Sequence, residues 1–247
     1  MRRLVAVPVF NEERHVRYVV EAIRRYYQDD LLFVNDGSTD GSAGLIESLK
    51  DEFRIIHLSR KNNIGYGRST ADAFNFALQN GYDQLVTMDC DEQHEPAHIP
   101  GFFEKIAGVD VCSCSRYLLE SEENDPAPTD RLAINREVTS MINSITGYQL
   151  TDSFCGMKGY RVEALRPLDL REAGYAFPLE FWVQAFHFGL KVVECPGTRI
   201  YKNLDRSFGR ELDDPAKRLE YYYDVLRKEL KRWSISLPSE LIPTTSR

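Results

Sequence analysis

No apolar run in this sequence approaches the roughly 18–20 residues that a membrane-spanning helix requires. The chain opens Met1-Arg-Arg-Leu-Val, but the apolar run stops at Pro8 and polar residues follow from Asn11. That opening reads as a first strand and not as a signal peptide. Basic excess is also missing: 31 Lys and Arg face 38 Asp and Glu, a net charge of −7, which argues against a nucleic-acid partner. There is no Cys-x-x-Cys. The five cysteines, Cys90, Cys112, Cys114, Cys155 and Cys195, are odd in number and scattered. They read as free thiols in a reducing cytoplasm, with no zinc site. Internal repeats and interdomain linkers are absent too. What remains, 247 residues with 43% hydrophobic and 28% charged, suits one globular domain.

Strand and helix signals alternate through the first 115 residues. Leu4–Val9, Leu31–Val34, Ile55–Leu58, Leu85–Met88 and Val109–Ser113 are apolar runs of strand length. Between them lie helical patterns: Asn11 as cap of a helix to Tyr27, a turn at Asn35–Asp40 before Leu45, Ile46 and Leu49, then Ser69–Leu78 and His98–Ala107. Such alternation implies an α/β fold with a mostly parallel sheet and helices on both faces. The second half is less regular. Leu118–Asp130 reads as a mobile loop over a site, Arg131–Ile145 as a helix, and Met157–Tyr160, Lys191–Cys195 and Arg199–Tyr201 as short strands. Pro215 sits at the first turn of a last helix to Trp233, and 234–247 forms a tail.

Ligands of open α/β sheets bind beyond the carboxyl ends of the strands. That rule gathers Phe10-Asn-Glu12, Asn35-Asp36 and Asp89-Cys90-Asp91 along one edge. Two carboxylates at i and i+2 past a strand end can reach one hard cation, and Gln93 adds a third oxygen. Oxygen donors shared with substrate phosphates suit Mg²⁺ or Mn²⁺. A solvated acidic turn is the plainer alternative for Asp-x-Asp alone.

Seven stretches, in order, resemble the family 2 glycosyltransferases: Val7–Glu12, Val34–Gly41, Asn63–Gly67, Met88–Pro96, Ser115–Tyr117, Asp152–Arg161 and Asp205–Gly209. Within that family the chain is most similar to the dolichol- and polyprenyl-phosphate mannosyl- or glucosyltransferases. The resemblance implies a GT-A fold over 1–233, with 1–117 as the nucleotide-sugar half and 118–233 as the acceptor half. It implies a nucleotide-sugar donor held by Pro8, Phe10, Glu12, Asn35, Asp36, Cys90 and Arg116, and a metal on Asp89, Asp91 and Gln93. Relatives often carry Tyr at position 10 and a second Asp at position 35, so Phe10 and Asn35 leave the nucleotide open.

Arginines are the other informative group, as candidate phosphate contacts, because guanidinium forks match phosphate oxygens. Arg116 and Arg206 fall on family motifs, and Arg131 and Arg210 flank the expected loops. Relatives often carry a Lys after the Asp-Arg pair, where this chain has Arg210. A phosphate acceptor needs no general base, whereas a sugar hydroxyl does. Asp152 is the candidate base, or else a residue that holds its own turn. Glu180 falls where relatives carry an acidic residue near the acceptor.

The leading expectation is an inverting, metal-dependent transfer to a polyprenyl phosphate by a cytoplasmic enzyme, peripheral on the membrane or held by a membrane partner. Transfer to a hydroxyl of a glycan or small molecule is the alternative. A non-catalytic nucleotide-sugar-binding protein is the alternative from another class. A nucleotidyltransferase would open with a Gly-rich basic loop after the first strand, and Phe10-Asn-Glu-Glu13 is not one.

Overall fold

The computed structural model of the chain describes residues 1–119, 121–201 and 209–236. Arg206, most of the Asp205–Gly209 stretch and the tail from 237 lie outside these residues, and of Arg210 only the backbone is described.

The strands are β1 (Arg3–Val9), β2 (Asp30–Asn35), β3 (Ile55–Ser59), β4 (Gln84–Thr87), β5 (Val111–Ser115), β6 (Lys158–Arg161) and β7 (Val192–Pro196). They form one 7-stranded sheet in the order β3-β2-β1-β4-β6-β5-β7. All neighbours pair in parallel except β6, which runs against both β4 and β5. β6 comes from the second half of the chain yet sits between two strands of the first half, so the halves interleave in one sheet. The Arg199–Tyr201 segment is not a strand: it is irregular backbone with Arg199 N and Tyr201 N bonded to Asn124 Oδ1 and Asp125 Oδ2.

The alternation of β1 builds both cores. Leu4 and Ala6 face one cluster with α3 (Tyr66–Gln79), α5 (Thr129–Thr146), α6 (Phe177–His187) and α7 (Pro215–Arg232). Val5, Val7 and Val9 face the other, with α1 (Glu13–Tyr26), α2 (Ser42–Leu49) and α4 (Ile99–Lys105). Because side chains alternate with period two, one apolar strand seals helices on both its faces.

Two expected features change. Asn11 does not cap α1; its φ is +58 and its Oδ1 accepts from Thr39 N at 2.8 Å, tying the turn after β1 to the turn after β2. Of the 118–130 segment, expected over the site, no described residue lines the central cleft, and Asn124 and Asp125 are bonded to Arg199 and Tyr201.

Candidate functional site

A cleft of about 420 Å³ opens at the carboxyl ends of β1, β2, β4 and β5. On the donor side it is lined by Pro8, Phe10, Glu12 and Asp36, with Asp89, Cys90, Asp91 and Gln93 beside them. Asn35 does not join them. It is buried, its Nδ2 donates to Ser59 Oγ at 2.8 Å and its Oδ1 accepts from Ser38 N, so it fastens β2 to β3 and shapes its own turn.

Asp36 is an organiser of the following loop as well as a wall of the cleft. Its carboxylate accepts from Arg60, from Asn63 Nδ2 at 2.9 Å, and from the amides of Ile64 and Gly65 at 3.1 and 2.7 Å. Gly65 has φ +132, and a Cβ there would lie 2.3 Å from the Ala173 carbonyl oxygen. A Cβ on Gly67 would lie 2.2 Å from the Glu172 oxygen. These glycines therefore let the 171–176 segment cross the start of α3, which their spacing alone did not reveal.

The acidic turn after β4 is bonded throughout. Asp89 N donates to His94 Nδ1 at 3.0 Å, which leaves the ring proton on Nε2, 3.5 Å from Cys155 Sγ. Gln93 N donates to Asp91 Oδ1 at 3.1 Å. Because β6 is antiparallel, its entering loop arrives at the same edge. Thr87 Oγ1 donates to Gly156 O at 2.9 Å, and a Cβ on Gly156 would lie 2.3 Å from Asp89 Oδ2. The Asp89 carboxylate thus fills the place of a side chain at 156. Among the described residues no three His, Cys, Asp or Glu side chains form a metal cluster by themselves. Two carboxylates and one amide in a cleft fit instead a cation that keeps coordination positions for phosphate oxygens, as Mg²⁺ does.

On the opposite wall Arg116 follows β5 and grips Asp152. Its Nε and Nη2 donate to Asp152 Oδ2 and Oδ1 at 2.6 and 3.0 Å. Asp152 Oδ1 also accepts from Asn135 Nδ2 and from the amides of Phe154 and Cys155. Burial opposes ionisation of Asp152, but the Arg116 charge and the hydrogen bonds outweigh it and hold the carboxyl below its ordinary range. Asp152 is 0% exposed and does not line the cleft. A saturated, easily ionised, buried carboxylate cannot take a proton from an acceptor, so the general-base expectation gives way to the alternative of holding the turn.

Glu180 moves similarly. It is 1% exposed on α6, and its oxygens accept from Arg171 N and Glu172 N at 2.7–2.9 Å, fixing the 171–176 segment. Burial pushes its carboxyl up to about 7. It is not among the residues that line the cleft.

Arg131, at the start of α5, does line the cleft. So does Arg218 of α7, which sequence reasoning missed; it is 3% exposed, with Nη2 donating to Asp130 Oδ2 at 2.7 Å and Nη1 to Leu212 O at 2.9 Å. Its signal was an arginine four residues before Tyr222 in the apolar stripe that continues to Val225 and Leu226. Ile134, Phe154, Tyr175, Pro178 and Tyr222 complete an apolar, largely aromatic wall around these guanidinium groups.

A single sheet with one reversed strand, carrying an Asp-x-Asp turn and a nucleotide-sized cleft at its carboxyl edge, defines a nucleotide-sugar transferase architecture. Residues 4–168 match the family described as Glycosyl transferase family 2. The chain is 30% identical over 210 residues to the polyprenol monophosphomannose synthase of Mycolicibacterium smegmatis, covering 82% of this chain and 79% of that one. It is 29% identical over 212 residues to the undecaprenyl-phosphate mannosyltransferase of Micrococcus luteus, covering 84% and 87%. Against a dolichyl-phosphate N-acetylglucosaminyltransferase of Methanococcus voltae it is 26% identical over 223 residues, covering 82% and 87%. Among solved structures, glucosyl-3-phosphoglycerate synthase of Mycobacterium tuberculosis, in complex with Mn²⁺, UDP-glucose and phosphoglyceric acid, superposes with a TM-score of 0.70 at 18% identity, over 96% of this chain and 81% of that one. The chain belongs to glycosyl transferase family 2, and it is a glycosyltransferase of GT-A fold.

Proposed function

We propose that the protein transfers a sugar, with inversion, from a nucleotide-diphospho-sugar to a polyprenyl phosphate. One observation carries the choice of acceptor. Among the described residues lining the cleft, the carboxylates are Glu12, Asp36, Asp89 and Asp91, all on the donor side. The facing wall offers Arg116, Arg131 and Arg218 among apolar and aromatic side chains. An ionised phosphate needs cations to position it and no base, and a prenyl chain needs an apolar wall. The likeness to polyprenol-, undecaprenyl- and dolichyl-phosphate transferases supports the same acceptor class.

In this reading Pro8, Phe10, Glu12 and Asp36 border the nucleoside, and Asp89, Asp91 and Gln93 would hold Mg²⁺ or Mn²⁺. When bound, the cation would stabilise the departing diphosphate as a Lewis acid. The remaining work falls to the chain: Arg116, held rigid by Asp152, and Arg131 align the acceptor phosphate oxygen opposite the leaving group, and the aromatic wall excludes water. Residues 1–117 supply the donor side, and 118–233 together with Arg116 supply the acceptor side. Among the described residues no helix is long and apolar enough to cross a membrane. A polyprenyl phosphate would be met at the membrane surface, or through a membrane-bound partner.

The test incubates purified protein with Mn²⁺, labelled GDP- and UDP-sugars, and either a short-chain prenyl phosphate or soluble hydroxyl acceptors. Label in the prenyl phosphate is expected, abolished by Asp89→Ala or Asp91→Ala. Transfer to hydroxyls alone would refute the acceptor, and undiminished transfer by both variants would refute the metal site. A thermal-shift panel of GDP, UDP and their sugars identifies the nucleotide, since a ligand bound to the folded state raises the melting temperature.

A further inference from the structure

We propose that His15 is a positioning residue for the metal-binding turn and acts through Glu92. The inference rests on the metal site proposed above. Glu92 lies between Asp91 and Gln93 and has φ +60, a left-handed conformation that side chains with a Cβ adopt at a cost. Such a residue persists only where its surroundings over-determine it.

One restraint on the Glu92 side chain comes from another element. His15 Nδ1 lies 2.9 Å from Glu92 Oε1. A carboxylate accepts, so Nδ1 carries the hydrogen. The other ring nitrogen faces Glu12 Oε2 at 3.9 Å, and Glu12 lines the donor side of the cleft. The ring's place is fixed by the first turn of α1, where His15 N donates to Glu12 O at 2.8 Å. One imidazole therefore joins the turn after β1 to the turn after β4.

The backbone angles of residue 92 set the relative directions of the side chains at 91 and 93. Loss of His15 removes a cross-element restraint on this left-handed residue, which loosens the aim of Asp91 against Gln93 while every ligand residue is still present. The expected signature is weaker metal binding with little change in folding. A partly exposed His–Glu pair contributes little to global stability.

The experiment follows Mn²⁺ binding by electron paramagnetic resonance, with UDP or GDP present, in the full chain and in His15→Ala, Glu92→Ala and the double variant. Partners that orient ligands typically change metal affinity by about 10–100-fold. We expect His15→Ala to weaken Mn²⁺ binding about tenfold, with the metal-free melting temperature within a few degrees of wild type. The double variant should bind no more weakly than Glu92→Ala, because the two side chains act as one unit. His15→Gln, which keeps an amide donor, should bind like wild type and guards against a folding defect in the alanine variant. Unchanged Mn²⁺ affinity in His15→Ala, or losses that multiply in the double variant, would overturn the proposal. Failure of the wild type itself to bind Mn²⁺ would instead overturn the metal site on which it rests.

Discussion

Replacing Gly156 by Ala should damage the metal turn without altering any side chain assigned to it. A Cβ at 156 would stand 2.3 Å from Asp89 Oδ2, 2.6 Å from Oδ1 and 2.7 Å from Cγ. Ordinary contact lies near about 3.5 Å, so the carboxylate must retreat by roughly 1 Å. A misplacement of that size at a reacting centre costs about 10²-fold in rate, or about 2.7 kcal/mol of transition-state stabilisation. Overpacking adds about 1–3 kcal/mol of destabilisation, which for a chain of this length lowers the melting temperature by about 2–12 °C. The assays are steady-state transfer to prenyl phosphate and Mn²⁺ binding, with Gly44→Ala as control because a Cβ there meets nothing within 4 Å. If Gly156→Ala keeps wild-type kcat/KM and Mn²⁺ affinity, the placement of the Asp89 carboxylate does not govern the reaction.

Asp152→Asn removes the fully buried charge that pairs with the largely buried Arg116 guanidinium, and breaking such a pair costs about 3–5 kcal/mol in denaturant unfolding. The depressed Asp152 carboxyl contributes its stability in full above the unfolded-state value of about 3.9 and loses it as pH falls below that. Acid unfolding of Asp152→Asn should therefore be shallower below about pH 4, and an unchanged acid limb would refute the pairing argument. Glu180 has the opposite sign: raised to about 7, its carboxyl makes the fold lose stability as pH rises from about 4.5 toward 7. Glu180→Gln should flatten melting temperature against pH across that window, and a slope equal to wild type would count against it. Arg218→Leu should raise KM for prenyl phosphate about tenfold through lost phosphate contact while the donor KM holds, whereas equal shifts in both would assign Arg218 a purely structural role.

The donor side was legible because its pieces are local. Phe10, Glu12, Asp36, Asp89 and Asp91 each follow an apolar run, and parallel topology sends every such run to the same edge. The acceptor side was not, because its contacts join elements distant in sequence. Nothing around Asp152 signals that Arg116, 36 residues earlier, will occupy both its oxygens. Acidic residues at 152 and 180 look alike as potential bases until burial is known. Arg199–Tyr201 has the composition of a strand, but its amides find partners in the 124–125 turn, so it never joins the sheet. Arg218 hid inside an amphipathic pattern that ordinarily signifies packing alone.

The 171–176 segment ties the two walls into one mechanical unit. It presses on Gly65 and Gly67 at the donor loop, is pinned by Glu180 beneath, and meets Tyr221 of α7 through Glu172 and the Ala176 amide. Tyr175, stacked on Tyr66 with ring centres 6.2 Å apart, faces the cleft from that segment. The width of the cleft is thus one variable rather than two. A change at Gly65 on the donor loop or at Tyr221 on α7 shifts both walls together, and kinetic constants for donor and acceptor will not separate for variants made along this segment.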